Sequence, residues 1–292
     1  MSQNNSSLKK RILTALILLP VALFAIFDLP LWGFSVFCAV VMSIGAWEWG
    51  PFIGFSKKRL RLALMALLVG IIALLFTHFR LFDIQSSELT SQIGFYLLLS
   101  SVIWWGIAAL LVVSYPKSAL TWRQKALLKM VFGFLTLVPT WFAATLIRSA
   151  NYNEAPQYGA WLLLFVMGLV WAADIGAYFA GKAYGKNKLM PNVSPGKTIE
   201  GMLGGLVAAF TVVFIVGQTA LLDNLSIVQM GLISLAVVIS SVLGDLLESM
   251  LKRQAGIKDS GTILPGHGGI LDRIDSLTAA LPVFAFLFFF VI

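Results

Sequence analysis

The chain has 292 residues, 59% of them hydrophobic and only 12% charged, with a mean hydropathy of +0.90 and a net charge of +8. A soluble domain carries about twice that charged fraction, so a water-soluble globular fold is excluded and the composition is that of a polytopic membrane protein. In a soluble protein such a positive balance would suggest nucleic acid; here the sorting of charge across a bilayer accounts for it, and no nucleic-acid partner is expected.

Hydropathy predicts an all-α polytopic membrane protein with about nine transmembrane helices, near 12–28, 30–47, 60–77, 94–115, 127–147, 159–180, 199–221, 226–247 and 274–292. Lys9, Lys10 and Arg11 precede the first apolar run without a small-residue cleavage site, so that run reads as a retained span. Asp28-Leu29-Pro30 turns the chain into the second span, with Pro30 suited to a first helical turn. Both spans are short for a perpendicular crossing, which admits a re-entrant hairpin. The single cysteine, Cys38, lies in an apolar segment and offers neither a disulfide framework nor a cysteine metal site. Glu48, between Trp47 and Trp49, reads as interfacial, and the tryptophans as aromatic belts near span ends. His78 falls in an outer loop.

With the N-terminus in the cytoplasm, 19 of the 21 lysines and arginines fall on the cytoplasmic side; only Arg80 and Arg148 fall on the other. The positive-inside rule then predicts a cytoplasmic N-terminus, an outside C-terminus and a multi-pass protein of the cell's inner membrane. Residues 1–150 are mostly featureless apolar helices and read as scaffold. Residues 151–292 hold most acids at membrane depth and read as the catalytic region, with its site at the cytoplasmic face.

Three constellations follow in chain order. Asp174 and Tyr178 lie one helical turn apart, and after them come Lys182, Lys186, Lys188 and the run Ser194-Pro195-Gly196-Lys197-Thr198-Ile199-Glu200-Gly201. Ser194 or Thr198 can cap the helix that follows. The lysines suit anionic headgroups or a triphosphate, although for Lys186 and Lys188 charge sorting alone suffices. Next, Asp245 sits near the end of the eighth span, with Glu248, Ser249 and Lys252 on the same helical face. Carboxylates in hydrocarbon normally face a cavity, a partner or an ion, and hard oxygen ligands suit Mg²⁺. Glu248 and Lys252 also read as an ordinary i,i+4 surface pair.

Third, Leu264-Pro265-Gly266-His267-Gly268-Gly269 frees the backbone for positive φ and close approach, so that its N–H groups can cradle phosphate. A helix start and the residues Asp272, Arg273 and Asp275 follow at once. Acidic and basic groups beside such a loop fit metal-assisted phosphoryl or nucleotidyl transfer.

The run Ser249-Met250-Leu251-Lys252-Arg253, then Lys258-Asp259, then Pro265-Gly266-His267-Gly268-Gly269, then Asp272-Arg273-Ile274-Asp275, 27 residues in all, resembles the signature of the phosphatidate cytidylyltransferases, or CDP-diacylglycerol synthases. The Asp174/Tyr178 and Ser194-to-Gly201 stretches resemble the same family, with Gly196 standing where a second lysine is expected. The resemblance implies a transferase that makes CDP-diacylglycerol and pyrophosphate from CTP and phosphatidate. It implies Mg²⁺ at Asp245 and Asp272, a second cation such as K⁺, and a homodimer among membrane lipids. Its catalytic positions map to Asp245, Lys252, Arg253, Lys258, Asp259, His267, Asp272, Arg273 and Asp275. Asp174, Tyr178, Ser194, Lys197, Thr198, Glu200, Ser249, Gly266, Gly268 and Gly269 would line the substrates.

The competing class is an ion-coupled secondary transporter, which also uses membrane carboxylates. Transporters usually show internal repeats and acids at the midplane; here the acids gather at one face. A CDP-alcohol phosphotransferase would place spaced aspartates within one helix with Ala-Arg between them, a run this chain lacks.

Overall fold

The computed structural model describes residues 2–81, 89–222 and 225–292; in the first helix it describes side chains only at residue 14 and from 16 onward, so those of Lys9, Lys10 and Arg11 lie outside it. Among the described residues nine long helices appear: α1 (Ser2–Phe27), α2 (Leu31–Ile53), α3 (Lys58–His78), α4 (Gln92–Val113), α6 (Ala126–Ser149), α7 (Tyr158–Tyr184), α8 (Ile199–Val216), α9 (Ile227–Ala255) and α10 (Leu271–Phe290), with a one-turn α5 (Ala119–Trp122) before α6. Eight of them combine the length and apolarity that crossing a bilayer requires, and α1 carries a shorter apolar run, Leu16–Phe27. A backbone in hydrocarbon must satisfy its own hydrogen bonds, which is why these apolar stretches are helices.

α6 is the central helix. Every residue from 136 to 150 is buried, and α2, α4, α7 and α10 pack around it. Without a hydrophobic drive between helices in lipid, polar cross-links and small residues help to choose partners. Trp104 Nε1 donates to Thr136 Oγ1 (3.0 Å), Trp141 Nε1 to the Ser35 carbonyl (2.9 Å) and Thr140 Oγ1 to the Thr278 carbonyl (2.9 Å). Burial overturns the belt reading for most tryptophans: Trp49, Trp104, Trp105, Trp122 and Trp141 are buried core, while Trp161 and Trp171 are exposed. Arg148, expected in an outer loop, is 2% exposed and donates to the Ile26 and Pro156 carbonyls (2.7 and 2.6 Å), so main-chain oxygens replace water around its charge.

α7 and α8 form the tightest pair; a Cβ on Gly204 would run into Ala180. Between them the chain makes the one sheet among the described residues, β1 (Lys188–Met190) antiparallel to β2 (Ser194–Thr198), in a stretch expected to be loop.

One further boundary differs from expectation, while the start of α10 falls within the expected 270–274. α9 continues past the apolar run to Ala255, because Glu248, Lys252 and Arg253 find partners along its last turns. α10 begins at Leu271, which places Asp272, Arg273 and Asp275 inside its first turns. The connections sort to two ends. At one end meet the end of α2, the starts of α6 and α10, the β-hairpin and the end of α9, through Trp49 Nε1 to the Lys129 carbonyl (2.9 Å) and Arg253 Nε to the Val193 carbonyl (3.4 Å). That end carries the basic connections.

Candidate active site

Two carboxylate clusters stand side by side at this end. The first lines a cavity of about 410 Å³ between α7, α8, α9 and the hairpin. Asp174, Tyr178, Lys182, Lys197, Thr198 and Asp245 face it, and Met202, Val238 and Val242 add apolar lining. Lys197 Nζ lies 2.6 Å from Asp245 Oδ2, with the two side chains 26% and 30% exposed. Ser249 Oγ, one turn on, donates to Asp245 Oδ1 (3.1 Å). The hairpin exists to deliver Lys197: Thr198 ends β2 and caps α8 by accepting from Gly201 N (3.1 Å), which decides between the two candidate caps. Ser194 instead pairs with Met190 in the sheet. A side chain on Gly196, which stands on the cavity wall, would meet nothing within contact distance, so there is room at the position where the resemblance led a second lysine to be expected.

The second cluster is closed. Lys252 Nζ lies 2.7 Å from Asp272 Oδ1 and 3.1 Å from Glu248 Oε1, all three side chains being largely buried. Asp272 Oδ2 accepts from Ser260 N (2.9 Å), Ser260 Oγ (3.0 Å) and Gly269 N (2.8 Å). Asp272 therefore ties the connection 256–270 back onto the helix it leads into. That connection turns at Gly266 and Gly268, which have φ of 77° and 83°, values a side chain would strain, and Leu264 N donates to the Gly268 carbonyl (2.9 Å). His267 Nδ1 is buried with no hydrogen-bond partner, an open polar atom in the loop expected to hold phosphate.

The predicted residues thus divide. Asp174, Tyr178, Lys197, Thr198, Asp245 and Ser249 come together at the cavity, while Lys252, Asp272, Gly268 and Gly269 come together in the closed cluster. Asp275 links them: Asp245 and Lys252 both act on its charge, and its carbonyl packs where α9 presents Gly244 without a side chain. Arg253, Lys258, Asp259 and Arg273 are exposed and lie outside the cavity lining. Glu200 serves the base of the hairpin, accepting from Lys186 N, Asn187 N and Asn187 Nδ2 (2.7 Å), and does not face the cavity.

The residue missed by the sequence reading is Glu48. It is not interfacial: it is 1% exposed and accepts from Ile270 N (3.2 Å), Leu271 N (2.8 Å) and Ser260 Oγ (3.4 Å). The signal was available, since an acid in an apolar segment earns the same suspicion that singled out Asp245.

Divalent metal can be tested against these donors. Among the described residues no three His, Cys, Asp or Glu side chains gather closely enough to hold an ion by themselves. Mg²⁺ does not need that, because it usually takes one or two carboxylates and completes its shell with water and substrate phosphates. Asp245 fits this use: it is partly exposed in the cavity, and Asp174 and Asp275 both sense its charge. Asp272 has both oxygens engaged and would have to release Lys252 or its loop donors to ligate.

A helical membrane bundle with a cavity lined by both charged and apolar side chains near one end suits a ligand that has an ionic part and an apolar part. The chain belongs to the cytidylyltransferase family, whose family model matches residues 9–291. It is similar to the phosphatidate cytidylyltransferase of Haemophilus influenzae, 43% identical over 98% of this chain and 100% of that protein. It is likewise similar to that of Pseudomonas aeruginosa, 43% identical over 95% of this chain and 96% of the relative. The phosphatidate cytidylyltransferase of Bacillus subtilis matches 53% of the chain and 57% of its own length at 42% identity.

Proposed function

We propose that the protein transfers the cytidylyl group of CTP to phosphatidate at the cytoplasmic face of the membrane, giving CDP-diacylglycerol and pyrophosphate. A phosphate oxygen of phosphatidate attacks the α-phosphorus of CTP, the α–β phosphoanhydride bond breaks, and pyrophosphate leaves with the electron pair. The observation that carries this reading is the cavity, which is lined by the ion pair of Lys197 and Asp245 and, one and two turns back along the helix that carries Asp245, by Val242 and Val238, with Met202 beside them, in a chain of this family. A headgroup phosphate suits the charged groups and acyl chains suit the apolar ones. No residue need serve as a covalent nucleophile, because phosphatidate brings its own.

Both substrates are polyanions, so the protein has to offset their repulsion. Lys197 and Lys182 supply positive charge inside the cavity, and Arg253, Lys258 and Arg273 are exposed basic groups outside its lining. Asp245 would hold Mg²⁺, with Asp275 as its charged neighbour; when bound, the ion neutralises phosphate charge on the attacked and leaving groups. His267 Nδ1 is the group the glycine–histidine loop offers to the CTP phosphates, since the N–H groups of His267 and Gly269 already go to the Leu264 carbonyl and to Asp272.

The deciding experiment gives purified protein radiolabelled CTP and phosphatidate. Mg²⁺-dependent label in chloroform-soluble lipid, matched by released pyrophosphate, is expected; ion-coupled flux without a lipid product would overturn the assignment. A cysteine at exposed Lys258 should react only with reagents admitted to the cytoplasm, and ready labelling from outside would reverse the proposed orientation.

A further inference from the structure

We propose that Glu48 is a positioning residue: a carboxylate from the N-terminal half that holds the connection 260–271 in the conformation the nucleotide needs. This rests on reading the glycine–histidine loop as the seat of the CTP phosphates. The first N–H groups of any helix lack partners inside that helix, and Ile270, at the N-cap of α10, offers no side-chain acceptor. Glu48 fills that role from α2. Its Oε1 accepts from Ile270 N (3.2 Å) and its Oε2 from Leu271 N (2.8 Å) and Ser260 Oγ (3.4 Å), joining two parts of the connection through one carboxylate.

The fit is tight on every side. A Cβ on Gly261 or on Gly269 would run into the Glu48 carboxylate, so both glycines admit it closely. The single Ser260 hydroxyl proton is shared between Glu48 (3.4 Å) and Asp272 (3.0 Å), and Asp272 also takes the N–H of Gly269 (2.8 Å), so Glu48, Ser260, Asp272 and Gly269 form one network directly after the His267 turn. Thr14 of α1 reaches the same connection, donating to the Pro265 carbonyl (3.0 Å). Among the described residues no lysine or arginine pairs with Glu48; its charge is met by N–H and O–H dipoles at a helix start, where a negative charge is favoured. The N-terminal helices are thus part of the site's support.

The test compares Glu48→Gln, Glu48→Ala and the wild type, purified in detergent. Gln keeps the size and one carbonyl oxygen but turns an amide toward N–H donors, so it should fold and still loosen the connection. Trypsin cleavage after exposed Lys258 should quicken severalfold. The KM for CTP should rise by on the order of tenfold to a hundredfold, the scale of misplacing a substrate-holding group, with the KM for phosphatidate unchanged. Faster cleavage with both KM values unchanged would mean that Glu48 holds the connection but that CTP does not use it, which overturns the cradle reading and the role proposed here. Unchanged cleavage in both variants would overturn the clamp itself while leaving the cavity reading intact. An equal rise in both KM values would reduce Glu48 to a folding residue and also overturn the proposal.

Discussion

The two carboxylate clusters are neighbours with opposite characters. Around Asp245 the charges are half-exposed, each oxygen has one partner, and the Lys197 ammonium arrives on a hairpin. Around Asp272 four donors converge on one buried carboxylate, and Lys252 is shared with Glu248. A carboxylate with one exchangeable counter-ion can take up a metal or meet phosphate. One saturated by main-chain and side-chain donors fixes the shape of a loop. Ions of the same type, a few residues apart in the fold, thus serve as reactive site and as frame.

The comparison can be broken first at Asp272. Removing one partner of a buried ion pair costs about 3–5 kcal/mol, because the other charge stays buried. Asp272→Asn also turns an amide toward N–H donors. It should melt at a lower temperature, lose its protected 256–270 connection and lose turnover together; normal melting would show that the frame lies elsewhere. Gly268→Val should come next. Its φ of 83° excludes a β-branched residue, and a Cβ there would press on Asp272 Oδ2. Impaired use of CTP with normal membrane insertion is expected, and kinetics varying CTP at fixed phosphatidate would show it.

Lys197→Met sharpens the other side. It removes the cavity's counter-ion without touching the frame, so melting should hold while turnover falls on the order of a hundredfold, as when one group stabilising transferred charge is lost. Glu154→Gln, on an exposed connection at the other end, should be silent in both assays. A measurable loss there would mean that the site is not confined to one end.

Much of this was legible in the sequence, for identifiable reasons. The helices are, because hydrocarbon leaves an apolar segment little alternative. So are a glycine loop able to take positive φ and a cap at Ser194 or Thr198, local choices of a few adjacent residues among which the structure selects Gly266, Gly268 and Thr198. What was not legible depends on distant partners. Glu48 meets Leu271 across 223 positions; an acid in an apolar segment signals that a partner exists, but nothing beside Glu48 says which. Arg148 is buried on main-chain oxygens, which have no sequence signature. The extension of α9 to Ala255 was hidden because hydropathy ends where charges begin, although those charges pair and the helix continues. Trp141, Trp104 and Trp49 resemble belt residues until Ser35, Thr136 and the Lys129 carbonyl are seen to accept their N–H groups.

The most direct measurement is Asp245→Asn, purified and assayed in parallel for melting temperature and for cytidylyl transfer from labelled CTP to phosphatidate. The substitution keeps shape and removes one charge that would hold Mg²⁺, a loss of several kcal/mol of transition-state stabilisation. Melting close to the wild type with turnover nearly abolished, and not restored by excess Mg²⁺, is the predicted result. Near-normal turnover at saturating Mg²⁺, or a melting loss as large as that of Asp272→Asn, would contradict the division between a reactive cavity and a closed frame.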